Sequence, residues 1–414
     1  MAGGHPLRIR VKLVLVAASV SMTLLTLESQ ALPDRPGSSR PVQPREPRIV
    51  PIADAKLTAA QREQIARFVP PGTRPGNGIR TLLTVPELVD HTMSFHTYIT
   101  RDASLSPRDR ELLMLRTAWL HGSDVIWREQ VGSARKAGLS TEDLRRIAEG
   151  PDAPGWNPFE ANLLRMSDQL FRNSFVNDDV FRTLAARYDT CHLMDAGMTV
   201  ADTAAMALVY NAFGVQPDDA PPGDRMPSTI PYRVSVPDRE AVTLNAARLE
   251  PLPGPGANNP RTFNLCPKLN AARNGSEYVN QISMLGKSGR ARDRELLILR
   301  TGWDSQSEYE WSEHVGRVGR ARAIGVPVDR IPRGPDASEW SPFEANLLRF
   351  ADELYRNAAV SDRLWATLKE TYDDRMMIDA TVTVANYRNV SMALNMLGVQ
   401  SNPGEEKLPP VPER

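Results

Sequence analysis

Cysteine is scarce in this 414-residue chain, which contains only Cys191 and Cys266. The two residues do not form a Cys-x-x-Cys pair, so the sequence offers neither a dithiol redox motif nor a cysteine-based zinc motif. They lie 75 positions apart in different halves of the chain. Because that spacing supplies no pairing geometry, we do not expect a disulfide between them.

An excess of charge of one sign is also missing, since Lys+Arg and Asp+Glu both number 50. Without a basic surplus we expect no nucleic-acid partner. Histidine is limited to six residues, and His91, His96 and His192 are scattered without metal-ligand spacing. We therefore expect no metal site, and a neutral partner or a small molecule.

Long apolar runs are absent except near the start, where Leu13–Leu27 follows Arg8, Arg10 and Lys12. With small residues at Ser29 and Ala31, this pattern predicts a cleaved signal peptide over 1–31 and a secreted or periplasmic protein. An uncleaved anchor is the alternative. No other run is long enough to span a bilayer, so we expect no stable membrane insertion after cleavage.

Sustained alternation of polar and apolar residues is missing as well, which predicts an all-α fold with little or no sheet. Helix starts are marked by Ser106-Pro107 and by the capping sequences Asn157-Pro158-Phe159-Glu160 and Ser341-Pro342-Phe343-Glu344. Two long apolar helices are predicted at Cys191–Phe213 and Met376–Leu397. Each is followed by a glycine.

The chain repeats itself. Arg108–Leu113 recurs as Arg292–Leu297, 184 positions later, and at an offset of 181 Arg67 and Pro70 match Arg248 and Pro251. The repeat and the proline-rich stretches predict a signal peptide (1–31), a flexible lead-in (32–57), a first domain (58–216), a linker (217–237), a second domain (238–400) and a tail (401–414). We call the two repeats the first and second copy.

The most informative stretch is a predicted helix pair in the second copy. The second of these helices carries Ser307, Glu310 and His314 on one face, while Glu295 lies on the apolar helix before it. Buried carboxylates beside an imidazole are suited to proton transfer. Two other interpretations remain open: Ser307-x-x-Glu310 as a helix capping box, and Glu310–His314 as a surface pair.

The two motifs of this helix pair, Arg-Asp-Arg-Glu-Leu-Leu-x-Leu-Arg-Thr-x-Trp and Tyr-Glu-Trp-Ser-Glu-His-Val, resemble the carboxymuconolactone decarboxylase family, which is related to the alkyl hydroperoxidase D proteins. The resemblance implies small all-α domains that assemble as trimers or higher multiples. In the peroxidase branch the active helix carries Cys-x-x-Cys-x-x-x-His, preceded by a Glu. Here Glu295 and His314 match that Glu and His, while Ser307 and Glu310 replace the cysteines, which argues against a thiol peroxidase.

The resemblance implies a decarboxylase-like lyase that acts without a cofactor on a small carboxylated, lactone-like compound. Glu295, Glu310 and His314 are the candidate catalytic residues. The candidate substrate-binding residues are Ser307, Arg300, Trp303 and Trp311. A non-catalytic binding or assembly protein on the same fold is the alternative, with a thiol-independent or residual peroxidase after it.

The first copy has lost this pattern, because Ile126 and Gln130 stand at the positions of Glu310 and His314. Neither side chain exchanges a proton. We therefore expect the first copy to be a structural partner of an active second copy. Alternatively, His121 and Glu111 form a different site there.

Overall fold

The computed structural model describes residues 40–234, 247–274, 279, 282–287 and 289–409, and within these ranges all regular secondary structure is helical. The predicted all-α fold is confirmed. The predicted signal peptide lies outside the described residues, as do part of the predicted linker and the end of the predicted tail. Among the described helices, none combines the length and apolar character needed to cross a membrane.

The first copy contains nine α-helices: α1 (Ala59–Ala66), α2 (Asn77–Leu82), α3 (Pro86–Thr97), α4 (Pro107–Leu120), α5 (Asp124–Lys136), α6 (Thr141–Glu149), α7 (Pro158–Asn173), α8 (Asp178–Ala185) and α9 (Thr190–Phe213). A π-helical turn, Tyr98–Asp102, extends α3. Short 3-10 turns lie at Asp54–Lys56 and Pro222–Asp224.

The described part of the second copy contains α10 (Asn258–Phe263), α11 (Pro267–Asn274), α12 (Met284–Lys287), α13 (Ala291–Asp304), α14 (Glu308–Val315), α15 (Pro342–Asn357), α16 (Asp362–Lys369) and α17 (Asp374–Leu397). Where the first copy has α6, the second has only a 3-10 turn, Val328–Arg333, which contains Pro332. Proline removes a backbone donor, so a regular helix does not continue there.

The helix ends follow local rules. Asn157 with Glu160, and Ser341 with Glu344, form the two predicted capping boxes at the starts of α7 and α15. The long helices α9 and α17 end at Gly214 and Gly398, which adopt the left-handed conformation with φ of 66° and 68°. These predictions are confirmed.

The two long helices pack against each other, and this contact forms the seam between the copies. Two asparagines make reciprocal bonds across it. Asn211 Nδ2 donates to the Ala358 carbonyl of the second copy at 2.9 Å, and Asn395 Nδ2 donates to the Ser174 carbonyl of the first copy at 3.0 Å. Ser174 and Ala358 are the left-handed residues that end α7 and α15. Each asparagine therefore satisfies a carbonyl that a helix end leaves without an intrahelical partner.

Two arginines correct the sequence alignment of the copies: Arg48, in the predicted lead-in, and Arg248, near the start of the second copy. Arg248 donates to the Val176 and Met396 carbonyls. Arg48 makes the equivalent bonds, to the Val360 and Ala212 carbonyls. Arg248 therefore corresponds in space to Arg48, and the predicted match with Arg67 is wrong. The first half of the chain has extra residues between Arg48 and α2, among them helix α1. The constant offset of 181 residues did not account for this insertion. The domain boundaries themselves stay a prediction.

Cys191 and Cys266 form a disulfide with a Cα–Cα distance of 5.3 Å. The expectation that they remain unpaired is wrong. Cys191 lies at the start of α9, and Cys266 directly precedes α11. The seam brings these two segments together although they are far apart in sequence. The disulfide therefore ties the first copy covalently to the second.

We predict that the double substitution Cys191→Ser/Cys266→Ser lowers the free energy of unfolding by about 2–4 kcal/mol, because the crosslink restricts a long loop in the unfolded chain. Urea unfolding of both proteins, with and without dithiothreitol, measures the effect. Reductant should lower the wild-type midpoint and leave that of the double variant unchanged. Equal wild-type midpoints under both conditions would contradict the prediction.

Candidate functional site

A cavity of about 370 Å³ lies at the seam, with Glu310 and His314 in its wall. The second copy supplies most of the wall, from α10, α11, α14 and α17. The first copy contributes Phe95 of α3 and Met198 of α9. The remaining lining residues are Ala257, Asn259, Pro260, Arg273, Val279, Tyr309, Glu313, Arg317, Val318, Asn386, Tyr387, Asn389 and Val390.

The three predicted catalytic residues come together beside this cavity. His314 Nδ1 lies 2.7 Å from Glu295 Oε2, and His314 Nε2 lies 3.7 Å from Glu310 Oε2. All three side chains are buried, and Glu295 is 2% exposed. Glu295 stands behind the imidazole rather than in the cavity wall. The surface-pair interpretation of Glu310 and His314 is therefore wrong.

Glu295 is held from its other side by the neighbouring arginine. Arg294 donates to Glu295 Oε1 at 2.6 Å and to the Tyr387 hydroxyl at 3.1 Å. The ring of Tyr387 meets the His314 imidazole edge-on, with 4.8 Å between the ring centroids. Glu295 is thus an acceptor that orients the imidazole, and the hydrogen bond assigns the proton on His314 to Nδ1. Nε2 is left facing Glu310.

Glu310 has a different environment. Burial raises the pKa of its carboxyl, and the nearby carboxylates of Glu313 and Glu295 raise it further, while His314 and Arg273 act in the opposite direction. The Glu310 carboxyl therefore keeps its proton to a higher pH than an exposed glutamate does. The site thus places a carboxyl with a raised pKa next to the second imidazole nitrogen, an arrangement suited to proton transfer.

The backbone after α14 closes this site. α14 ends at Val315, whereas its counterpart α5 continues to Lys136, so the following residues form turns instead of helix. These turns place Gly319 against the Glu295 carboxylate and the His314 backbone, where a Cβ atom would collide with both. Glycine is required at this position because the chain approaches the buried pair so closely.

The predicted substrate-binding residues do not line the cavity. Ser307 is buried at the start of α14, and its side chain makes no capping hydrogen bond, so the capping-box interpretation is wrong. Trp303 and Trp311 are fully buried and pack against each other, with ring centroids 6.3 Å apart. These residues support the helix pair from inside the core.

Arg300 is also placed elsewhere. Its guanidinium binds Asp352 through two bonds of 2.5 and 3.2 Å and donates to the Ile331 carbonyl. Arg116 of the first copy makes the same bidentate pair with Asp168. A buried ion pair present in both copies is a structural element, and Arg300 does not meet the cavity.

Sequence reasoning missed the cations that do reach the cavity. Arg273 enters from α11, and Arg317 enters from the turn after α14. The spacing of Arg317, one helical turn after Glu313, was a usable signal, and the structure shows an ion pair between them at 2.5 Å. No local pattern connects Arg273 to α14, because that contact is purely tertiary.

In the first copy, Glu111 keeps its buried position, but its Oε2 atom finds no hydrogen-bond partner among the residues that the structure describes, and burial raises the pKa of this carboxyl to about 7. His121 does not join it. His121 directly follows α4 and lies ten positions after Glu111, which is about 15 Å along the helix axis. His121 Nδ1 instead bonds the Thr117 carbonyl, and burial lowers the pKa of its imidazole to about 3. The alternative site of His121 and Glu111 is therefore wrong.

The sequence model of the carboxymuconolactone decarboxylase family matches residues 86–168. This segment is a carboxymuconolactone decarboxylase family domain. Comparisons with curated proteins and with solved structures found no match.

The matched carboxymuconolactone decarboxylase segment runs from α3 into α7 of the first copy. It therefore includes Glu111, Ile126 and Gln130, the positions equivalent to the three catalytic candidates of the second copy. Among the described residues, no group of three histidine, cysteine or acidic side chains is arranged to hold a metal ion.

We predict that Glu310→Gln weakens the pH dependence of stability. A buried carboxyl with a raised pKa binds its proton more tightly in the folded state, so folding stability falls as the pH rises through the interval between the unfolded and folded pKa values. The amide cannot ionise. Urea unfolding is measured at steps of about one pH unit between about pH 4 and pH 9. The unfolding midpoint should fall less with rising pH for the variant than for the wild type. Parallel curves of midpoint against pH would contradict this prediction.

We predict that Gly319→Ala destabilises the protein by about 1–3 kcal/mol, because the new methyl group must displace the turn or the Glu295 carboxylate. The matched control is Gly132→Ala in α5, where a Cβ atom meets no other atom within 4 Å. That control should be neutral or stabilising, since alanine favours helix. Thermal unfolding measures both. Equal melting temperatures for the two variants would show that the turn does not close on the pair.

Proposed function

We propose that the second copy catalyses decarboxylation, or a related proton transfer, on a small carboxylated and lactone-like compound without a cofactor. The observation that carries the proposal is the buried series Glu295–His314–Glu310, whose last two members open into a cavity of about 370 Å³. The family match at residues 86–168 lies in the first copy, whose sequence the second copy repeats, and it supports a carboxymuconolactone decarboxylase-like protein.

Arg273 replaces Arg300 as the proposed binding residue for the substrate carboxylate. It lies in the cavity wall and is near enough to Glu310 to favour the ionised form of that carboxyl. An arginine is suited to carboxylate recognition because its planar guanidinium presents paired donors. Arg317 also lines the cavity and forms an ion pair with Glu313.

The proposed step divides the work between the two groups that face the cavity. When the C–C bond to the leaving carboxylate breaks, CO₂ departs and the electron pair stays on the substrate carbon. Protonated Glu310 delivers a proton to that carbon and becomes a carboxylate. After the product leaves, His314 Nε2 takes up a proton from solvent and passes it to the Glu310 carboxylate, while Glu295 stabilises the transient imidazolium.

A non-catalytic binding protein on this fold is the second candidate. The positions of Trp303 and Trp311 bear on it, since a cavity filled by these rings would leave no room for a substrate. Both rings lie in the core, outside the cavity wall. The open cavity favours the enzyme.

We also propose that the protein is exported. A disulfide between the copies supports this, because such bonds persist in oxidising compartments. Assembly as a trimer remains a prediction that follows from the family resemblance.

We predict that His314→Gln lowers kcat by about a hundredfold or more, the usual size of a general acid–base contribution. The assay is CO₂ release from a panel of carboxylated lactones by the purified mature protein. Gln130→Ala, at the equivalent position of the first copy, is the matched control and should retain full turnover. Unchanged turnover by a folded His314→Gln protein would rule out the proposed role.

A further inference from the structure

A second, smaller cavity of about 70 Å³ lies on the other side of the seam. Its wall is the counterpart of the larger one. Asp202, Ala205 and Met206 of α9 stand where α17 presents Asn386, Asn389 and Val390 to the large cavity. Thr92, the seventh residue of α3, takes the place of Arg273, the seventh residue of α11.

The two cavities are neighbours. Phe95, Asn386 and Asn389 line both of them. These shared side chains place the two cavities next to each other, and two of the three are polar. One elongated ligand can therefore contact both cavities in the proposal that follows.

The small cavity has its own polar group. Asp202 lies in its wall, with a side chain that is 7% exposed, and Asp202 Oδ2 is 2.8 Å from His96 Nδ1. Burial disfavours the charged imidazole, but the hydrogen bond and charge of Asp202, with smaller contributions from Glu129 and Glu111, outweigh it and raise the pKa of His96.

The pairing leaves one oxygen of Asp202 for a ligand. Within the described structure, the hydrogen bond of Asp202 uses Oδ2, so Oδ1 is available as an acceptor. The described lining contains no arginine or lysine, in contrast to the large cavity. The small cavity is therefore suited to a neutral hydrogen-bond donor, such as a hydroxyl group, and not to a second carboxylate.

We propose that the small cavity is a subsite for the far end of the substrate, where Asp202 accepts a hydrogen bond from a hydroxyl group. This inference rests on the proposed function, in which Arg273 holds the carboxylate end in the large cavity. The substrate class is then an elongated carboxylate with a hydroxyl group distant from the acid. His96 is a positioning residue, because it acts through Asp202.

The test uses two series of probes, the straight-chain alkanoates from propanoate to octanoate and the same acids with a terminal hydroxyl group. Calorimetry at neutral pH gives the affinity of each. At the chain length that spans the two cavities, the hydroxyl group should raise affinity about tenfold, the expected effect of one hydrogen bond to a charged acceptor.

Variants assign the effect to the subsite. Asp202→Ala should abolish the gain from the hydroxyl group and leave alkanoate binding unchanged, and Asp202→Asn, which keeps the shape of the side chain, should reduce the gain. Asp179→Asn, at an exposed carboxylate, is the control and should change neither. Arg273→Gln should weaken both series equally.

The outcomes separate the two proposals. If alkanoates bind in a manner that depends on Arg273, but the hydroxyl group adds nothing at any chain length, the subsite is wrong and the proposed carboxylate site stands. A gain that survives in Asp202→Ala also overturns the subsite. If neither series binds, both proposals fail.

Discussion

The packing of α9 against α17 is the constraint on which the rest of this structure depends. The two helices are apolar along most of their length, so neither is stable in water alone, and each buries the other. Asn211 and Asn395 set the register of the seam, because each must reach a carbonyl of the opposite copy. Both cavities lie along this seam. The candidate site is therefore a property of the pair of copies, and the first copy supplies part of the wall in addition to support.

The copies share a frame and differ in chemistry. The bidentate arginine–aspartate pair occurs in both at equivalent positions, Arg116–Asp168 and Arg300–Asp352. Removing one partner of such a buried pair strongly destabilises the fold. The pair is therefore the same in both copies, while residues around it differ. In the second copy the helix after the site ends early, and the turn with Gly319 covers Glu295. In the first copy α5 continues, and one oxygen of Glu111 has no hydrogen-bond partner within the described part of the chain.

Helix boundaries, caps and the meeting of Glu295 with His314 were predictable, because they depend on residues close in sequence or on periodicity within one helix pair. The role of Arg300 was not. An arginine beside a predicted site suits a substrate carboxylate as well as it suits a buried aspartate, and only the fold places Asp352 next to it. Two further features were not predictable for the same reason: the Cys191–Cys266 disulfide and the position of Arg273 in the cavity wall. Both depend on segments that are distant in sequence and that the fold brings together.

His314 lies between two glutamates, Glu295 and Glu310, whose surroundings differ. Because of this difference, the two sides of the imidazole are not equivalent. Glu295 lies behind the imidazole and receives hydrogen bonds from both Arg294 and His314, so its environment stabilises negative charge. Glu310 lies at the cavity, where burial favours the protonated form. The imidazole is thereby held with its proton toward Glu295 and its lone pair toward Glu310. In the proposed reaction, the proton that Glu310 gives to the substrate is therefore on the cavity side of the imidazole. Two equivalent carboxylates would hold the imidazole without any such preference, so the neighbouring Arg294 is as much a part of the arrangement as the three residues it supports.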